Sequence, residues 1–279
     1  METVAVVGVG LIGASFGLAL RQAGFSGRII GVSSPGAIEA GLAVGAISDG
    51  ASLEEAAQVA DLIYLAQPVD RILETLAALA PLLNRKCLVT DAGSTKSAIV
   101  EKALECLPAN TFLGGHPLAG KEQRGTGQAE ALLFRNRPYV LTPQSELTPE
   151  MQEFQDWLTR IGARVVLMSA GEHDRVVALT SHLPQLLSTA LSVTLAEQGN
   201  SRILEVFGPG LLDMTRLAMS SPDVWNSILA TNRDEILHVL RDFTAELSKL
   251  SARLEAGHAM DDPFATAQNF SASLRKVLH

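Results

Sequence analysis

Cysteine and clustered positive charge are both scarce in this chain of 279 residues. The two cysteines, Cys87 and Cys106, make neither a disulfide framework nor a metal motif, so we expect two reduced packing residues and no metal site. The formal net charge is −8, and no cluster of Lys or Arg stands out. Because such a surface repels phosphate backbones, nucleic acid is excluded as an expected partner.

Long apolar runs and a leader segment are also missing. No stretch approaches the ~18 uninterrupted apolar residues of a membrane span, although 47% of the residues are hydrophobic and the mean hydropathy is +0.21. The chain begins with the strand-like METVAVVGVG, without a basic segment or cleavage site ahead of it. We therefore expect a cytoplasmic protein without a membrane partner, whose surplus apolar surface forms a subunit interface.

Two patterns divide the chain near Met168. Before it, short β-branched runs (TVAVV, RIIGV, DLIYLA, CLVTDA, TFLGG, PYVLT, RVVLM) alternate with amphipathic stretches. This alternation predicts an α/β fold with a doubly wound, mostly parallel sheet, an N-terminal Rossmann domain over residues 1–168. From Ser169 only helical periodicity follows, with a long helix to about Glu197 that Pro184 kinks, and helices over roughly 223–256 and 262–278. We expect an all-helical substrate and dimerisation domain over residues 169–279.

A glycine-rich loop directly after the first strand carries the clearest functional signal. GVGLIG matches G-x-G-x-x-G in the strand-to-helix context that makes this pattern specific for dinucleotides. Gly8 permits the tight turn, Gly10 lets the pyrophosphate approach, and Gly13 lets the helix pack on the strand. The amides at the helix start, at Leu11 and Ile12, then receive the anion.

The end of the second strand bears on the choice between NAD and NADP. NAD-binding folds place an Asp or Glu there for the ribose 2′-hydroxyl, but this chain has Ser33 and Ser34. Two neutral hydroxyls before a helix that begins Pro-Gly favour the 2′-phosphate of NADP, although no Arg follows to clamp it and NAD stays possible. We assign Gln67 and Pro68, after the strand DLIYLA, to the same cofactor site.

Further polar segments follow later strands and line a helix. DAGSTK, with Ser94, and GGHPLAGKEQRG, with His116, lie at the carboxyl edge of the sheet, where open α/β folds bind ligands. In the helical part, EHDRVVALTSHLPQ places Asp174, Ser181 and Gln185 within about 40° of one another on a helical wheel. His182 lies about 80° from Asp174 on that wheel. Such a polar stripe is typical of a cavity or an interface.

With these motifs in order, the chain resembles the prephenate and arogenate dehydrogenases of tyrosine biosynthesis. The resemblance rests on GVGLIGAS, DAGSTK, GGHPLAGKE, HDRVVALTSHLPQ and DMTRLAMSSPDVW, spread across nearly the whole chain. It implies an oxidoreductase that carries out an oxidative decarboxylation, in which hydride passes to NAD(P) and CO2 leaves as the ring becomes aromatic. It also implies a homodimer formed through the helical domain.

The resemblance assigns roles to three residues. His116 would take or share the proton of the substrate 4-hydroxyl, which suits an imidazole. Ser94 would hydrogen-bond the same region, or alternatively cap a helix. Arg216 would grip a substrate carboxylate, or alternatively pair with Asp213 on the surface.

The remaining assignments are of the substrate pocket. His182 matches a pocket histidine and Glu122 an acid near the pocket mouth, while Trp225 either walls the pocket or packs at a helix contact. Gln185 is assigned to substrate binding, and with Lys121 it bears on whether the substrate side chain is a pyruvyl group or an amino acid. Prephenate and arogenate both remain open.

Two other functions fit parts of the sequence. A β-hydroxyacid dehydrogenase or an imine reductase has the same two-domain architecture but usually relies on a helical-domain lysine, and residues 171–197 contain none. A protein that senses the NADP redox state without turnover would need no carboxylate clamp such as Arg216.

Overall fold

The computed structural model describes residues 1–121 and 125–276, and its N-terminal part is a single eight-stranded sheet. The strands are β1 (Thr3–Val7), β2 (Arg28–Val32), β3 (Asp49–Gly50), β4 (Leu62–Leu65), β5 (Leu88–Asp91), β6 (Phe112–Pro117), β7 (Pro138–Thr142) and β8 (Arg164–Leu167). Their order is β3-β2-β1-β4-β5-β6-β7-β8, and all neighbours are parallel except β6 and β7. The strand order reverses between β1 and β4, so a crevice opens at their carboxyl ends.

Within the described residues, six helices cover the two faces of this sheet. They are α1 (Leu11–Gln22), α2 (Pro35–Ala43), α3 (Leu53–Val59), α4 (Val69–Leu79), α5 (Ser97–Cys106) and α6 (Pro149–Arg160). Alternate residues of the buried strands point to opposite faces, so Val4 and Val6 of β1 join one apolar cluster, and Ala5 and Val7 join the other.

The sequence prediction of a doubly wound Rossmann fold is confirmed. All seven predicted strands are present, whereas the two-residue strand β3 and the short helix α3 were not predicted. The start of α3 does carry a signal, because Ser52 and Glu55 form a reciprocal capping box.

From Ser169 on, the described part of the chain contains helices and no strand. These are α7 (Ala170–Val177), α8 (Leu183–Glu197), α9 (Pro209–Thr215), α10 (Pro222–Thr231), α11 (Arg233–Glu255) and α12 (Asp261–Lys276). Ser169 caps α7 by accepting the Glu172 amide at 3.2 Å. The helical stretch predicted over 223–256 forms two helices, α10 and α11. They are separated at Asn232, whose side chain contacts Asp174 and His182.

A π-helical turn, Ala178–His182, joins α7 to α8 just before Pro184. Pro184 cannot donate a backbone hydrogen bond, and the wider turn accommodates this loss. The turn also changes which side chains face inward. Regular helical spacing placed Ser181 with Asp174 and Gln185, but Ser181 is exposed and His182 is 1% exposed. The predicted stripe was therefore wrong at this position.

The helical domain leaves much apolar surface uncovered. Helix α12 buries none of its residues, and Phe264 and Phe270 on it are 70% and 66% exposed. Within the described residues, one helical stretch, Ala170–Glu197, is long and apolar enough to span a membrane by length and composition. Core helices meet the same criterion, and this stretch carries buried polar residues such as His173 and Asp174.

Candidate active site

The glycine loop leaves room for a ligand at one of its three glycines. Gly8 has φ +95°, and a Cβ there would lie 2.8 Å from the Ala66 carbonyl oxygen. A Cβ on Gly13 would lie 2.1 Å from the Gly8 carbonyl oxygen, whereas one on Gly10 would meet nothing within 4 Å. The protein itself therefore requires glycine at positions 8 and 13. At Gly10 the open space fits an approaching pyrophosphate.

The surroundings of this loop also fit a dinucleotide. Helix α1 starts after Gly10 without a side-chain cap. Its first amides, at Leu11 and Ile12, therefore have no side-chain acceptor and can bind an anion. Ser33 and Ser34 are exposed at the end of β2, and the Ser34 hydroxyl does not cap α2. Across the crevice, Gln67 borders Gly8, and Pro68 precedes α4.

The loop that follows β6 returns to the glycine loop. Thr126 Oγ1 donates to the Val9 carbonyl oxygen at 2.5 Å, and the Glu130 amide donates to Ser15 Oγ on α1 at 3.0 Å. Lys121 Nζ lies 2.5 Å from the Glu130 carboxylate and donates to the Gln128 carbonyl at 3.1 Å. The Lys121 ammonium is thus held by this loop. Glu122, assigned to the pocket mouth, lies outside the described residues.

A chain of two histidines and an aspartate links the sheet to the helical domain. His116 lies near the end of β6 and keeps part of its surface accessible. Its Nδ1 is 2.8 Å from Nε2 of the buried His173 on α7, and His173 Nδ1 is 2.8 Å from Asp174 Oδ1. Asp174 also accepts the backbone amides of Lys96 and Ser97 at 2.7 and 2.8 Å.

These contacts determine where the protons sit. Although burial opposes ionisation, hydrogen bonds from His173 and Ser97 hold the pKa of Asp174 below its ordinary value, so it is a carboxylate that only accepts. A neutral His173 that donates from Nδ1 to this carboxylate accepts at Nε2 from His116 Nδ1–H. Burial, and then the neighbouring His173 and Lys96, lower the pKa of His116 well below its ordinary value. The neutral His116 therefore has its Nε2 lone pair available as a proton acceptor.

Helix capping, the alternative role of Ser94, is performed by Asp174. Helix α5 begins at Ser97 after Lys96, and its first amides are bound by the Asp174 carboxylate from the helical domain. Ser94 therefore does not cap this helix. It is partly exposed in the turn after β5, and within the described residues its hydroxyl makes no hydrogen bond.

A buried ion pair lies beneath these groups. The side chains of Lys96 and Asp91 are fully buried and in contact. Asp91 also accepts the backbone amides of Gly93 and Gly115 at 2.8 and 3.0 Å, the second one immediately before His116. The pair thus ties the turn after β5 to the strand that carries the histidine.

His182 forms a second polar cluster at the same junction. Asn232 Nδ2 donates to the Asp174 carbonyl at 2.8 Å and lies 3.2 Å from His182 Nδ1. Because an amide NH2 only donates, His182 accepts at Nδ1 and carries its proton on Nε2. Burial lowers the pKa of His182 to about 4, so the ring is neutral. Trp225 stands edge-on to it, with 5.8 Å between ring centroids.

The last two assigned residues, Gln185 and Arg216, lie on α8 and on the segment packed against it. Gln185 is buried, donates to the Leu217 carbonyl at 2.8 Å, and has a side-chain oxygen without a partner in the described structure. Arg216 is exposed and begins the 3₁₀ turn Arg216–Met219 that packs on this helix. Gln185 thus touches the segment that carries Arg216.

Sequence reasoning missed His173 and Asn232. His173 adjoins Asp174 in EHDRVVALTSHLPQ. A helical wheel groups Asp174 with other polar residues but leaves His173 outside that group. Asn232 lies in what the periodicity presents as a continuous helix. Its only signal is an Asn in a helix interior, where it is unfavourable. No group of three or more His, Cys, Asp or Glu among the described residues could hold a metal ion.

The fold and this site define a dehydrogenase of two domains that uses a nicotinamide dinucleotide. Two family models match the chain: prephenate dehydrogenase, nucleotide-binding domain, over residues 16–167, and prephenate dehydrogenase, dimerization domain, over residues 169–268. The chain therefore belongs to the prephenate dehydrogenase family, whose members are oxidoreductases, and the predicted resemblance is confirmed.

Individual relatives agree with the family models. The prephenate dehydrogenase of Bacillus subtilis is 34% identical over 261 residues, 91% of this chain and 70% of the relative. The structure of Aquifex aeolicus prephenate dehydrogenase with hydroxyphenyl propionate and NAD+ has a TM-score of 0.91 at 28% identity, covering 98% of both chains. Synechocystis arogenate dehydrogenase has a TM-score of 0.82 at 31% identity, covering 98% of this chain and 99% of its own.

A dehydrogenase with a different substrate is less similar. An (S)-3-hydroxybutyryl-CoA dehydrogenase from Ralstonia eutropha has a TM-score of 0.56 at 15% identity, which shows a shared fold alone. The comparisons thus favour the prephenate/arogenate dehydrogenase function over a β-hydroxyacid dehydrogenase or imine reductase.

Proposed function

We propose that the chain oxidises prephenate or arogenate to 4-hydroxyphenylpyruvate or tyrosine, with NADP as the preferred hydride acceptor. The observation that carries this proposal is the chain of hydrogen bonds from Asp174 through His173 to His116. It leaves a neutral imidazole with a free acceptor nitrogen at the junction of the two domains, on the carboxyl side of the sheet.

In this mechanism His116 Nε2 accepts the proton of the substrate 4-hydroxyl. Bound NADP supplies the acceptor for the hydride that leaves the ring carbon bearing that hydroxyl. Asp174, through His173, stabilises the positive charge that His116 gains. As the ring carboxylate leaves as CO2, its bonding electrons complete the aromatic ring, and His116 returns the proton to the phenolic oxygen.

Other residues bind and orient the substrate in this proposal. Arg216 presents its planar guanidinium to a substrate carboxylate, Ser94 hydrogen-bonds near the 4-hydroxyl, and His182 donates from Nε2. The unpartnered oxygen of Gln185 is available to the substrate side chain. That oxygen can accept a hydrogen bond from the ammonium of arogenate, whereas the amide NH2 is already bound to the Leu217 carbonyl and Thr189, and both substrates remain in the proposal.

The cofactor is held by the sheet domain. Gly8, Gly10, Leu11, Ile12 and Gly13 form the loop that binds the pyrophosphate. The pair Ser33 and Ser34 binds the 2′-phosphate, helped by the uncapped start of α2, and Gln67 and Pro68 border the nicotinamide half. The exposed serines, without a carboxylate to repel a phosphate, support NADP over NAD.

The helical domain, which we assign to residues 169–279, forms a homodimer in this proposal, and the sheet domain covers residues 1–168. The family model for the helical part is a dimerization domain. A 16-residue helix without a buried residue, such as α12, is marginal alone in water and needs a covering surface. A second copy provides that surface. We place the enzyme in the cytoplasm.

The test follows cofactor reduction by its near-ultraviolet absorbance with prephenate and with arogenate, each offered with NAD and with NADP. We expect turnover with at least one substrate and a higher kcat/KM with NADP. No turnover in all four combinations would overturn the proposed reaction, and a higher kcat/KM with NAD would overturn the cofactor preference alone.

A further inference from the structure

Both polar atoms of the Leu217–Ala218 peptide are bound by side chains of α8. Leu217 accepts from Gln185 Nε2 at 2.8 Å, and the Ala218 amide donates to Ser188 Oγ at 3.0 Å. Gln185 and Ser188 are three residues apart and share one face of the helix. The carbonyl and the amide of a trans peptide point in opposite directions. Two contacts one turn apart therefore hold the plane of this peptide along α8 and prevent its rotation.

These contacts fasten a segment that lies on the surface of the helical domain. None of the residues of α9 or of the 3₁₀ turn Arg216–Met219 is buried. Ser188, by contrast, is 2% exposed. A buried hydroxyl is costly unless it is hydrogen-bonded, and Ser188 uses its oxygen as an acceptor for the backbone just after Arg216. A residue whose task was only packing would gain nothing from this hydroxyl.

We propose that Ser188 is a positioning residue, which acts through the Leu217–Ala218 peptide to hold Arg216 toward the substrate. The inference rests on the proposed function, in which Arg216 binds a substrate carboxylate. The continuous stretch of α7, the π-helical turn and α8 then contacts His116 at one end, through His173, and the Arg216 segment at the other. One helical rod thereby sets the spacing between the proton acceptor and the carboxylate clamp.

The test compares substitutions at Ser188 with a control one turn further along the same helix. In Ser188→Ala we expect KM for the substrate to rise about fivefold, the effect of one net hydrogen bond, with kcat and the KM for the cofactor within about twofold. Ser192→Ala is the control, because the Ser192 hydroxyl donates only to the Ser188 carbonyl of its own helix, at 2.9 Å. It should leave KM unchanged.

An isosteric pair separates the hydroxyl from packing, should the alanine variant be unstable. Ser188→Thr keeps the acceptor and should keep KM near that of the wild type, while Ser188→Val, of the same shape, should raise it. Equal KM values for the two variants would overturn the inference.

A double variant tests whether Ser188 acts through the arginine. Arg216→Ala should raise KM strongly, and adding Ser188→Ala should raise it no further, since the two changes remove the same interaction. Additive effects would overturn the positioning role while the proposed function stands. A wild-type chain that oxidises neither prephenate nor arogenate would overturn both.

Discussion

Nε2 of His173, in the helical domain, lies 2.8 Å from Nδ1 of His116, in the sheet domain. The contact joins two regions separated by 57 residues in the chain. Because His173 is itself fixed by the Asp174 carboxylate, the helical domain determines which nitrogen of His116 can accept a proton. In the proposed mechanism, proton transfer from the substrate therefore depends on the docking of the helical domain.

Replacing His116 should affect the chemical step. We expect His116→Asn to lower kcat by about 10²-fold or more with little change in KM, because a positioned acid or base contributes in this range. Steady-state kinetics with saturating cofactor provide the measurement, and His238→Asn, at an exposed histidine, is the control. An unchanged kcat would remove His116 from the mechanism.

Neutralising Asp174 should disturb the same step from a distance. Asp174→Asn can donate to His173 and so reverse its tautomer, which leaves His116 without a free acceptor nitrogen. We expect kcat to fall by about 10²- to 10⁴-fold, the range seen when an orienting carboxylate is lost. The pH profile of kcat should change with it, and Asp242→Asn, on the exposed face of α11, should alter neither. A fall in thermal stability with kcat intact would restrict Asp174 to its role as a helix cap.

The serine pair after β2 should control cofactor choice. Ser33→Asp places a carboxylate where it repels a 2′-phosphate and accepts the ribose 2′-hydroxyl of NAD. We expect the ratio of kcat/KM for NADP to that for NAD to fall about tenfold or more, equivalent to about 1.4 kcal/mol. Ser26→Asp, in an exposed loop, is the matched control. A ratio that stayed the same would place the 2′-phosphate elsewhere.

The exposed aromatics of α12 should be needed for dimerisation. Phe264→Asp combined with Phe270→Asp places two charges on an apolar surface that a second copy would bury, and we expect a monomer in light scattering after size exclusion. Asn269→Asp, which a helical wheel places about 140° from Phe264 and about 100° from Phe270, should leave the dimer intact. A dimer that survives the double change would place the interface on other helices.

Acid should destabilise the protein through His182. Its pKa is about 4 in the folded chain and about 6.5 when unfolded. Between these values only the unfolded chain binds the proton, so the free energy of unfolding falls as the pH drops from 6.5 to 4, by at most about 3 kcal/mol. Urea unfolding at pH 7 and pH 4.5 measures this loss. His182→Gln should reduce it, while His258→Gln, at an exposed position, should not. Equal losses in all three chains would refute the assignment.

Local sequence patterns were enough to predict the strands of the sheet and the position of the glycine loop. The runs that end at Val7, Val32 and Leu65 are short, apolar and β-branched, and each leads into a helix, so the sheet and the place of the glycine loop followed from spacing alone. Gly8 and Gly13 are required by contacts within a few residues of the loop or across one neighbouring strand. The motifs around His116 and Arg216 carry the resemblance to the family.

The tertiary structure decided how the two domains meet. A helical wheel assumes a constant 100° per residue, and the π-helical turn before Pro184 departs from it, which buries His182 and exposes Ser181. Whether His116 is paired with His173, and whether Asp174 caps α5, depends on contacts between residues 57 to 78 positions apart. The sequence alone thus determined the fold, the cofactor loop and the family. Which nitrogen of His116 is left without a protein partner depends on how α7 docks on the sheet, because only packing brings such distant groups within hydrogen-bonding range.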